Sequence, residues 1–542
     1  MAKGYRRVDR DQPFLFPPDM REWLPRDHQV WLVIAVVEDH LDTSAFHACR
    51  KTGGPGTAGY DPDMLATVLV WAYAHGVTSS RQIERLCRTD VAFRVICAGN
   101  LPDHSTVARF RGDFPGAAGE FFAQVLILCA RLGMGRLGVV ALDGMKIAAN
   151  ASKAANRAEE GLRKLAREAV AAHAAADQAE DALFGAGRRG DEVPEQAWSP
   201  RSRDERIRAA LASLQAEREA AGKAEQAQAE AFRARQRAGR RTGCSPDSAA
   251  VALAEEKLAR VTAAQQTKID DWEARNARSL AQTGKRLGNP PRRPASQHVR
   301  VRQAAARLER ARRRQAEATR RAADRERNRK GPGPVRNLTD PDSRLMPVRG
   351  GGFIQGCNAQ NVASSDGLII ATELTTDPAD CTWFEPMARA AEDAAALITA
   401  SRPTAGQDAA TTGLMLADAG YCSEHNLTTS GPDRLIATGK HRDLEHAARN
   451  GGAAGRQRAG PATQAMAKLL TTEDSITAYR QRGHIAETPH GHIKHNLRFR
   501  QLSVRGKANA AAEWAFTAAV HNLLKAITSG HLTTQALATL PA

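Results

Sequence analysis

The sequence predicts an α/β protein in which a mixed sheet is flanked by helices, preceded by a helical N-terminal segment and interrupted by a long helical insertion. Two similar stretches are the main evidence for the sheet. Val139–Gly144 and Leu414–Gly420 each contain a continuous apolar run that ends at an aspartate and then reaches a glycine. Apolar runs of this length without a helical period are typical of buried strands. The insertion is indicated by residues 151–336, which are rich in Ala, Arg, Glu and Gln.

Size and charge limit the possible classes of protein. A chain of 542 residues with 42% apolar content can form several domains with real cores. A formal net charge of +17 favours a polyanionic partner, and nucleic acid is the commonest such partner. The longest apolar run, Phe121–Ala130, is too short for a membrane span, and residues 1–7 are basic without the apolar core of a signal peptide. The eight scattered cysteines contain no C-x-x-C pair, which predicts reduced thiols in a cytosolic protein.

The first 135 residues are predicted to be helical. Apolar residues recur at helical spacing between Pro62 and His75, with Gly76 as a stop. Residues 79–111 then predict short helices separated by tight turns, and the last of these begins at His104 and carries Arg109 and Arg111. This pattern resembles a helix-turn-helix group that binds DNA. A plain helical bundle with solvated arginines fits the same pattern.

The insertion is predicted to form about four long helices, because its apolar residues alternate three and four apart as in a coiled-coil seam. Gly- and Pro-containing breaks separate these helices at residues 185–190, 243–246 and 288–294. Disorder is the alternative for a segment with so few aromatic residues. Residues 285–336 contain 18 Lys or Arg and 4 acidic residues, so this window carries +14 of the net +17. That asymmetry predicts phosphate contacts, although a charge run is also typical of a solvated face.

Strands return after the insertion. Gly352–Gln360 and Leu368–Leu374 are separated by Ser364–Gly367, a turn sequence typical of a β-hairpin. An Ala-rich helix is predicted from about Trp383 to Ala400, followed by the strand before Asp418 and a short strand at 435–437. These elements complete a mixed sheet with helices against it.

Asp143 and Asp418 come directly after the two apolar runs. If those strands lie side by side, the aspartates are about 5 Å apart, where mutual repulsion raises the pKa of one carboxyl group. A divalent metal ion would relieve the repulsion. An apolar run followed by aspartate is also what a strand entering a turn looks like.

A third acid lies in the segment Tyr479–Lys494. Pro489 is tolerated in a helix only in its first turn, so we predict a helix that begins close to Glu487, after a break at Gly483. Glu487 and Lys494 are seven residues apart and would share a face of that helix, where they could hold a metal ion and a phosphate. An exposed pair on a basic helix is the alternative.

Taken together, these motifs resemble the bacterial insertion-sequence transposases of the DDE class. The chain also resembles this family at Pro102–Thr106, which is followed by Arg109, Phe110 and Arg111. The remaining matching segments are Leu142–Ile147, Ala149–Ser152, Asn337–Arg344, Gly356–Gln360, Ala417–Tyr421, and the closing signature of Tyr479, Arg482, Glu487 and Lys494. One departure is that four residues, rather than the usual three, separate Arg482 from Glu487. Another is that the insertion directly follows the first catalytic strand.

The resemblance implies an RNase H-like catalytic domain in which Asp143, Asp418 and Glu487 bind two Mg²⁺ or Mn²⁺ ions about 4 Å apart. It implies that Arg482, Lys494 and Tyr479 contact DNA at the catalytic site. It also implies that His104, Arg109 and Arg111 contact DNA in the domain that binds the terminal inverted repeats. The implied activity is metal-dependent DNA cleavage followed by strand transfer. A homodimer on DNA and a cytoplasmic, nucleoid-associated location are also implied. The expected segments are an N-terminal DNA-binding domain at 1–135, a first catalytic strand at 136–150, the insertion at 151–336, the rest of the catalytic domain at 337–530 and a tail at 531–542.

Two alternative functions remain at this point. An RNase H-like nuclease would cut DNA without joining it, and a domesticated, non-catalytic coiled-coil protein would only bind DNA. A zinc site is a further possibility for His104, His484, His490 and His492, but their spacing lacks paired ligands and favours solvated or phosphate-facing histidines.

Overall fold

The computed structural model describes most of the chain and places it in two compact units. The described residues are 19–48, 59–112, 114–168, 171, 200–238, 247–291, 294–327, 335–348, 350–402, 412–439 and 460–540. The first unit contains residues 1–156 and 337–542, and the second contains Arg157–Arg336. The insertion predicted at 151–336 therefore corresponds closely to the second unit.

The helices of the first unit are α1 (Gln29–Ala35), α2 (Ser44–Ala48), α3 (Pro62–Ala74), α4 (Ser80–Thr89), α5 (Val91–Cys97), α6 (His104–Gly112) and α7 (Ala118–Arg131). The insertion contains α8 (Pro200–Arg237), α9 (Asp247–Thr283) and α10 (Val299–Arg327). The first unit continues with α11 (Phe384–Ser401), α12 (Glu424–Thr428), α13 (Pro461–Leu469), α14 (Glu473–Gly491), α15 (Lys507–Thr528) and α16 (Thr534–Thr539). No helix within the described ranges is both long and apolar enough to cross a membrane.

Six of the strands form one mixed sheet. The strands are β1 (Val139–Ala148), β2 (Asn156–Ala158), β3 (Val335–Asn337), β4 (Arg344–Pro347), β5 (Phe353–Ser364), β6 (Ile369–Thr375), β7 (Leu414–Ala417) and β8 (Asp433–Ile436). The order is β4-β5-β1-β7-β8, with β6 also paired to β5, while β2 and β3 pair separately. The strand β1 is antiparallel to β5 and parallel to β7, and β7 is parallel to β8. The predicted hairpin is confirmed by the antiparallel pairing of β5 and β6.

Helices cover both faces of this sheet. On one face, α7, α11 and α15 pack in a large apolar core that includes Val140 and Leu142 of β1. On the other face, Ala141 of β1 packs with Ile485 and Ala486 of α14 in a smaller core. Because side chains alternate along a strand, Asp143 has the same parity as Ala141 and lies on the face that α14 covers. The sheet therefore presents its first aspartate to α14.

The N-terminal helices pack in the same unit as the sheet. Glu513 on α15 is 1% exposed and accepts hydrogen bonds from the Tyr73 hydroxyl of α3 at 2.6 Å and from the Ser503 backbone N–H at 2.8 Å. Arg111 of α6 is also buried and donates to the Ser503 hydroxyl at 2.9 Å. This buried network joins α3 and α6 to α15, so the predicted boundary at residue 135 does not separate two compact units.

The insertion contains long helices, as its composition predicted. The helices α8, α9 and α10 have 38, 37 and 29 residues, and α9 packs against α10. Arg312 of α10 pairs with Glu255 of α9 at 2.9 Å. The predicted breaks at 185–190 and 243–246 lie outside the described residues, whereas α9 ends at Thr283, before the predicted break at 288–294.

The predicted start of a helix after Gly483 is wrong. The helix α14 runs without interruption from Glu473 to Gly491 and contains Pro489 near its end. An internal proline removes a backbone donor, so local sequence argues against this arrangement. The helix is maintained because Ile485 and Ala486 pack with Ala141 of the sheet and Pro489 is itself buried. A π-helical turn over His492–Asn496 follows the proline and places Lys494 outside the regular α-helical spacing from Glu487.

Candidate active site

The two predicted aspartates lie side by side on adjacent parallel strands. Asp418 directly follows β7, whereas Asp143 lies within β1, which continues to Ala148 instead of ending at the acid as the apolar run predicted. Leu142 of β1 pairs with Ala417 of β7 in parallel register. Asp143 and Asp418 are the residues that follow this pair, so they are neighbours across the two strands. The side chain of Asp418 accepts a hydrogen bond from the Gly420 N–H at 2.8 Å, which caps the short turn after β7. Asp143 accepts one from the Gly144 N–H at 3.0 Å. The predicted juxtaposition of the two strands is confirmed.

The helix α14 brings Arg482 and Glu487 to these aspartates. One guanidinium nitrogen of Arg482 lies 4.0 Å from Asp143 Oδ2, and the other lies 3.9 Å from Glu487 Oε1. Asp418, Arg482 and Glu487 all line one open cavity of about 390 Å³ beside α14. Glu487 therefore faces the same cavity as Asp418, and the Arg482 guanidinium contacts both Glu487 and Asp143.

The Asp143 carboxyl group has a raised pKa. Burial is the main cause and the nearby Asp418 carboxylate adds to it, while Arg482 and the Gly144 N–H oppose both effects, so that the pKa is raised to about 6. A carboxyl group with a raised pKa favours its protonated form, so ionisation above pH 6 destabilises this position. The position is therefore one that a cation would stabilise. The repulsion predicted between the adjacent aspartates is present.

Two other predicted residues lie close to the acids. Lys494 is half-buried, and burial lowers its pKa whereas the Asp143 carboxylate raises it. Tyr479 donates to the Ala417 carbonyl at 3.1 Å, directly before Asp418, and burial raises its pKa to about 12. Arg482 Nη1 is buried and finds no hydrogen-bond partner within the described part of the chain. Tyr479 and Arg482 line the cavity, where a guanidinium is suited to phosphate oxygens.

The carboxylate oxygens of Asp143, Asp418 and Glu487 do not all lie within 4.8 Å of one another. Within the described ranges, the group of potential ligands whose atoms all lie within 4.8 Å of one another is His47, Asp61 and Asp63, on the N-terminal helices. The Glu487 side chain is 66% exposed and approaches the aspartates through Arg482. Oxygen donors of this kind are nevertheless the ligands that Mg²⁺ and Mn²⁺ prefer, so the donor set fits such an ion.

Sequence reasoning missed a buried network beneath β1. Asp380, which follows β6, accepts hydrogen bonds from Asn358 at 2.7 Å, Gln360 at 2.8 Å and Lys146 at 3.1 Å. The Tyr421 hydroxyl donates to Gln360 and so ties the turn after Asp418 to β5. Asn358, Gln360 and Tyr421 belong to the segments that carry the family resemblance, but nothing in the local sequence around Asp380 indicates that it joins them.

Gly144 is required because this network approaches the backbone closely. A Cβ atom at Gly144 would lie 2.6 Å from Asp380 Oδ1 and 2.7 Å from Gln360 Nε2. We expect Gly144→Ala to displace the network and to lower the free energy of unfolding by about 1–3 kcal/mol, as overpacking does. Urea denaturation of the full chain measures this change.

A matched glycine on α14 provides the control. Nothing lies within 4 Å of a Cβ atom at Gly483, which is inside the helix. We expect Gly483→Ala to stabilise the protein by about 0.5–1 kcal/mol, because alanine favours a helix over glycine. An equal free energy of unfolding for Gly144→Ala and the wild type would contradict the prediction that a Cβ atom at position 144 displaces the network.

The predicted DNA-contacting residues of α6 are in three different situations. Arg109 is exposed. His104 is also exposed, but its Nδ1 contacts Glu84 Oε2 at 2.8 Å. Arg111 is 6% exposed and donates to the Thr78 carbonyl and to Ser503. The prediction that Arg111 binds DNA is wrong, because its guanidinium is part of the buried network that joins α6 to α15.

Comparisons with known proteins agree with this arrangement. Residues 18–113 match the family described as a transposase domain (DUF772), and residues 450–527 match the family described as a transposase DDE domain. The second match contains Arg482, Glu487 and Lys494, while Asp143 and Asp418 lie outside it. No curated protein matches the chain, and no solved structure matches it.

The two family matches support a DDE transposase, a class of nucleic-acid-processing enzyme that generally depends on divalent metal. The helical segment before the sheet matches a transposase domain as well. Together these matches identify the chain as an insertion-sequence DDE transposase, and the family predicted from the sequence motifs is confirmed.

Proposed function

We propose that the chain binds the terminal inverted repeats of its element, cleaves the DNA at the element ends and joins those ends to target DNA. The observation that carries the proposal is the placement of Asp143 and Asp418 side by side on adjacent parallel strands, with Glu487 of α14 lining the same cavity as Asp418. Asp143 lies within β1, and Asp418 directly follows β7. The mixed sheet, covered by helices on both faces and carrying these two acids on adjacent strands, supports an RNase H-like catalytic domain.

Asp143, Asp418 and Glu487 are the residues that would hold divalent metal. Two bound Mg²⁺ or Mn²⁺ ions would activate the attacking oxygen and stabilise the leaving 3′ oxygen. The raised pKa of Asp143 supports this assignment, because ionised Asp143 and Asp418 repel each other without a cation.

The cationic residues of the site are proposed to bind DNA. Arg482 has a buried nitrogen without a hydrogen-bond partner among the described residues, and its guanidinium faces the cavity beside Asp418 and Glu487. A phosphate oxygen placed in that cavity would satisfy the nitrogen. Lys494 beside Asp143 and Tyr479 before Asp418 are proposed to position the same DNA end.

DNA outside the site is proposed to contact the N-terminal helices and the insertion. Arg109 is exposed on α6 and is available to a DNA groove, as a helix-turn-helix residue would be. Most of the arginines on α10 are exposed, and residues 285–336 contain 18 basic and 4 acidic side chains. We infer that this surface binds DNA backbone and that two protomers act together, because two element ends must be joined.

The test uses the full chain, Mg²⁺, and duplex DNA taken from both sides of its gene. We expect cleavage at the element ends and joining of a precut 3′ end to a plasmid. Cleavage without joining would instead indicate a nuclease. Binding of end DNA without any cleavage would indicate the non-catalytic DNA-binding protein.

A further inference from the structure

A chain of buried hydrogen bonds leads from α15 to Asp143. Trp514 Nε1 of α15 contacts the Thr372 hydroxyl of β6 at 2.7 Å. Thr372 Oγ1 in turn lies 2.6 Å from Asn361 Oδ1 of β5, and Asn361 Nδ2 lies 2.8 Å from His490 Nε2 of α14. His490 Nδ1 lies 3.8 Å from Asp143 Oδ2. The side chains of four elements therefore connect the protein core to the first acid of the site.

The Trp514 indole determines the direction of the hydrogen bonds in this series. An indole N–H can only donate, so the Thr372 oxygen accepts from Trp514 and the Thr372 hydrogen is directed to Asn361 Oδ1. The indole nitrogen also lies 3.3 Å from Asn361 Oδ1, which excludes the flipped amide, because two donors would then face each other. Asn361 therefore presents its NH₂ group to His490.

The orientation of Asn361 determines the tautomer of His490. A donor at 2.8 Å from Nε2 requires a lone pair on that nitrogen, so the ring proton is on Nδ1. The protonated Nδ1 then lies 3.8 Å from Asp143 Oδ2, while Asp143 Oδ1 accepts from the Gly144 N–H. At 3.8 Å the contact is longer than a hydrogen bond, and a movement of roughly 1 Å would close it.

We propose that His490 is a positioning residue for Asp143, held in its Nδ1–H tautomer by the Trp514–Thr372–Asn361 chain, and that it is not itself a metal ligand. Its Nδ1 carries a proton, and its Nε2 is occupied by Asn361, so neither nitrogen is free to bind a cation. This inference rests on the proposed function for its effect on the reaction. The tautomer itself does not depend on that function.

Selective ¹⁵N labelling of histidine in the full chain tests the tautomer directly. The long-range ¹⁵N–¹H spectrum of the wild type should show His490 as the neutral Nδ1–H form, with the signal assigned from its loss in His490→Asn. Asn361→Asp places an acceptor opposite Nε2 and should move the ring proton to that nitrogen. A wild-type spectrum with the proton on Nε2 would overturn the proposal, whether or not the chain cleaves DNA.

Two substitutions of His490 separate positioning from packing. In His490→Asn the side-chain amide nitrogen takes the position of the histidine Nδ1 and can still donate to Asp143. In His490→Gln the amide nitrogen takes the position of Nε2 instead. We expect His490→Gln to lower the rate of Mg²⁺-dependent cleavage and the affinity for Mn²⁺ by about 10- to 100-fold, the usual cost of losing a residue that orients a ligand. We expect His490→Asn to lower the cleavage rate and the affinity for Mn²⁺ only a few-fold.

Equal losses in the two variants would contradict the positioning role, because a purely structural histidine does not distinguish the two amides. Failure of the wild type to cleave DNA at all would contradict the proposed function instead, and the spectrum and the Mn²⁺ affinities would still decide the role of His490.

Discussion

Replacing Glu487 with glutamine is expected to abolish metal-dependent cleavage while leaving the fold and the binding of end DNA unchanged. The Glu487 side chain is 66% exposed on α14, so the amide fits without displacing a neighbour. Its carboxylate faces the cavity that Asp418 also lines. Losing one of three anionic ligands should raise the barrier by about 4 kcal/mol or more, which is about a 10³-fold loss of rate. Single-turnover cleavage of a labelled end duplex measures the loss.

The same helix provides a matched control. Glu473 is exposed in the first turn of α14, far along the helix from the cavity, so Glu473→Gln makes the same chemical change away from the site. We expect this control to cleave at the wild-type rate. Full activity of Glu487→Gln, or an equal loss of activity in Glu487→Gln and Glu473→Gln, would contradict the assignment of Glu487 to the active site.

Replacing Glu513 with alanine is expected to have the largest effect on stability. Glu513 is buried and accepts hydrogen bonds from Tyr73 and Ser503, and Ser503 is also the partner of the buried Arg111. Its removal leaves the Tyr73 hydroxyl and the Ser503 N–H without their acceptor. Each buried donor left unsatisfied costs about 1–3 kcal/mol, so we expect a loss of about 2–6 kcal/mol in urea denaturation followed by tryptophan fluorescence.

Two further variants show whether the network acts as a unit. Asp393→Ala removes an exposed carboxylate from α11 and should change the free energy of unfolding by no more than about 0.5 kcal/mol. The double variant with Arg111→Ala should lose less than the sum of the two single variants, because both side chains bond to Ser503 and residues of one network are not additive. Strict additivity would show that Arg111 and Glu513 do not share a network.

The sequence was sufficient to predict the sheet and two of its acids. A buried parallel strand leaves a continuous apolar run, and both β1 and β7 show one immediately before Asp143 and Asp418. The β5–β6 hairpin followed from its Ser-Ser-Asp-Gly turn. These features are encoded within about ten residues of chain, which explains why local patterns reveal them.

Features that depend on distant contacts could not be predicted. Local rules place a helix boundary before Pro489, but the burial of Ile485 and Ala486 maintains α14 through that point. Arg109 and Arg111 carry the same local signal, although one is exposed and the other is buried against α15. The contact of Lys146 with Asp380 joins residues 234 positions apart in the chain. Each of these features is decided by tertiary packing.

The central claim is that Asp143, Asp418 and Glu487 share divalent metal, and anomalous scattering from Mn²⁺ in crystals of the full chain with end DNA tests it most directly. The account predicts anomalous peaks between these three carboxylates, and their loss in Glu487→Gln. Peaks confined to the cluster of His47, Asp61 and Asp63, with none beside Asp143 and Asp418, would contradict it.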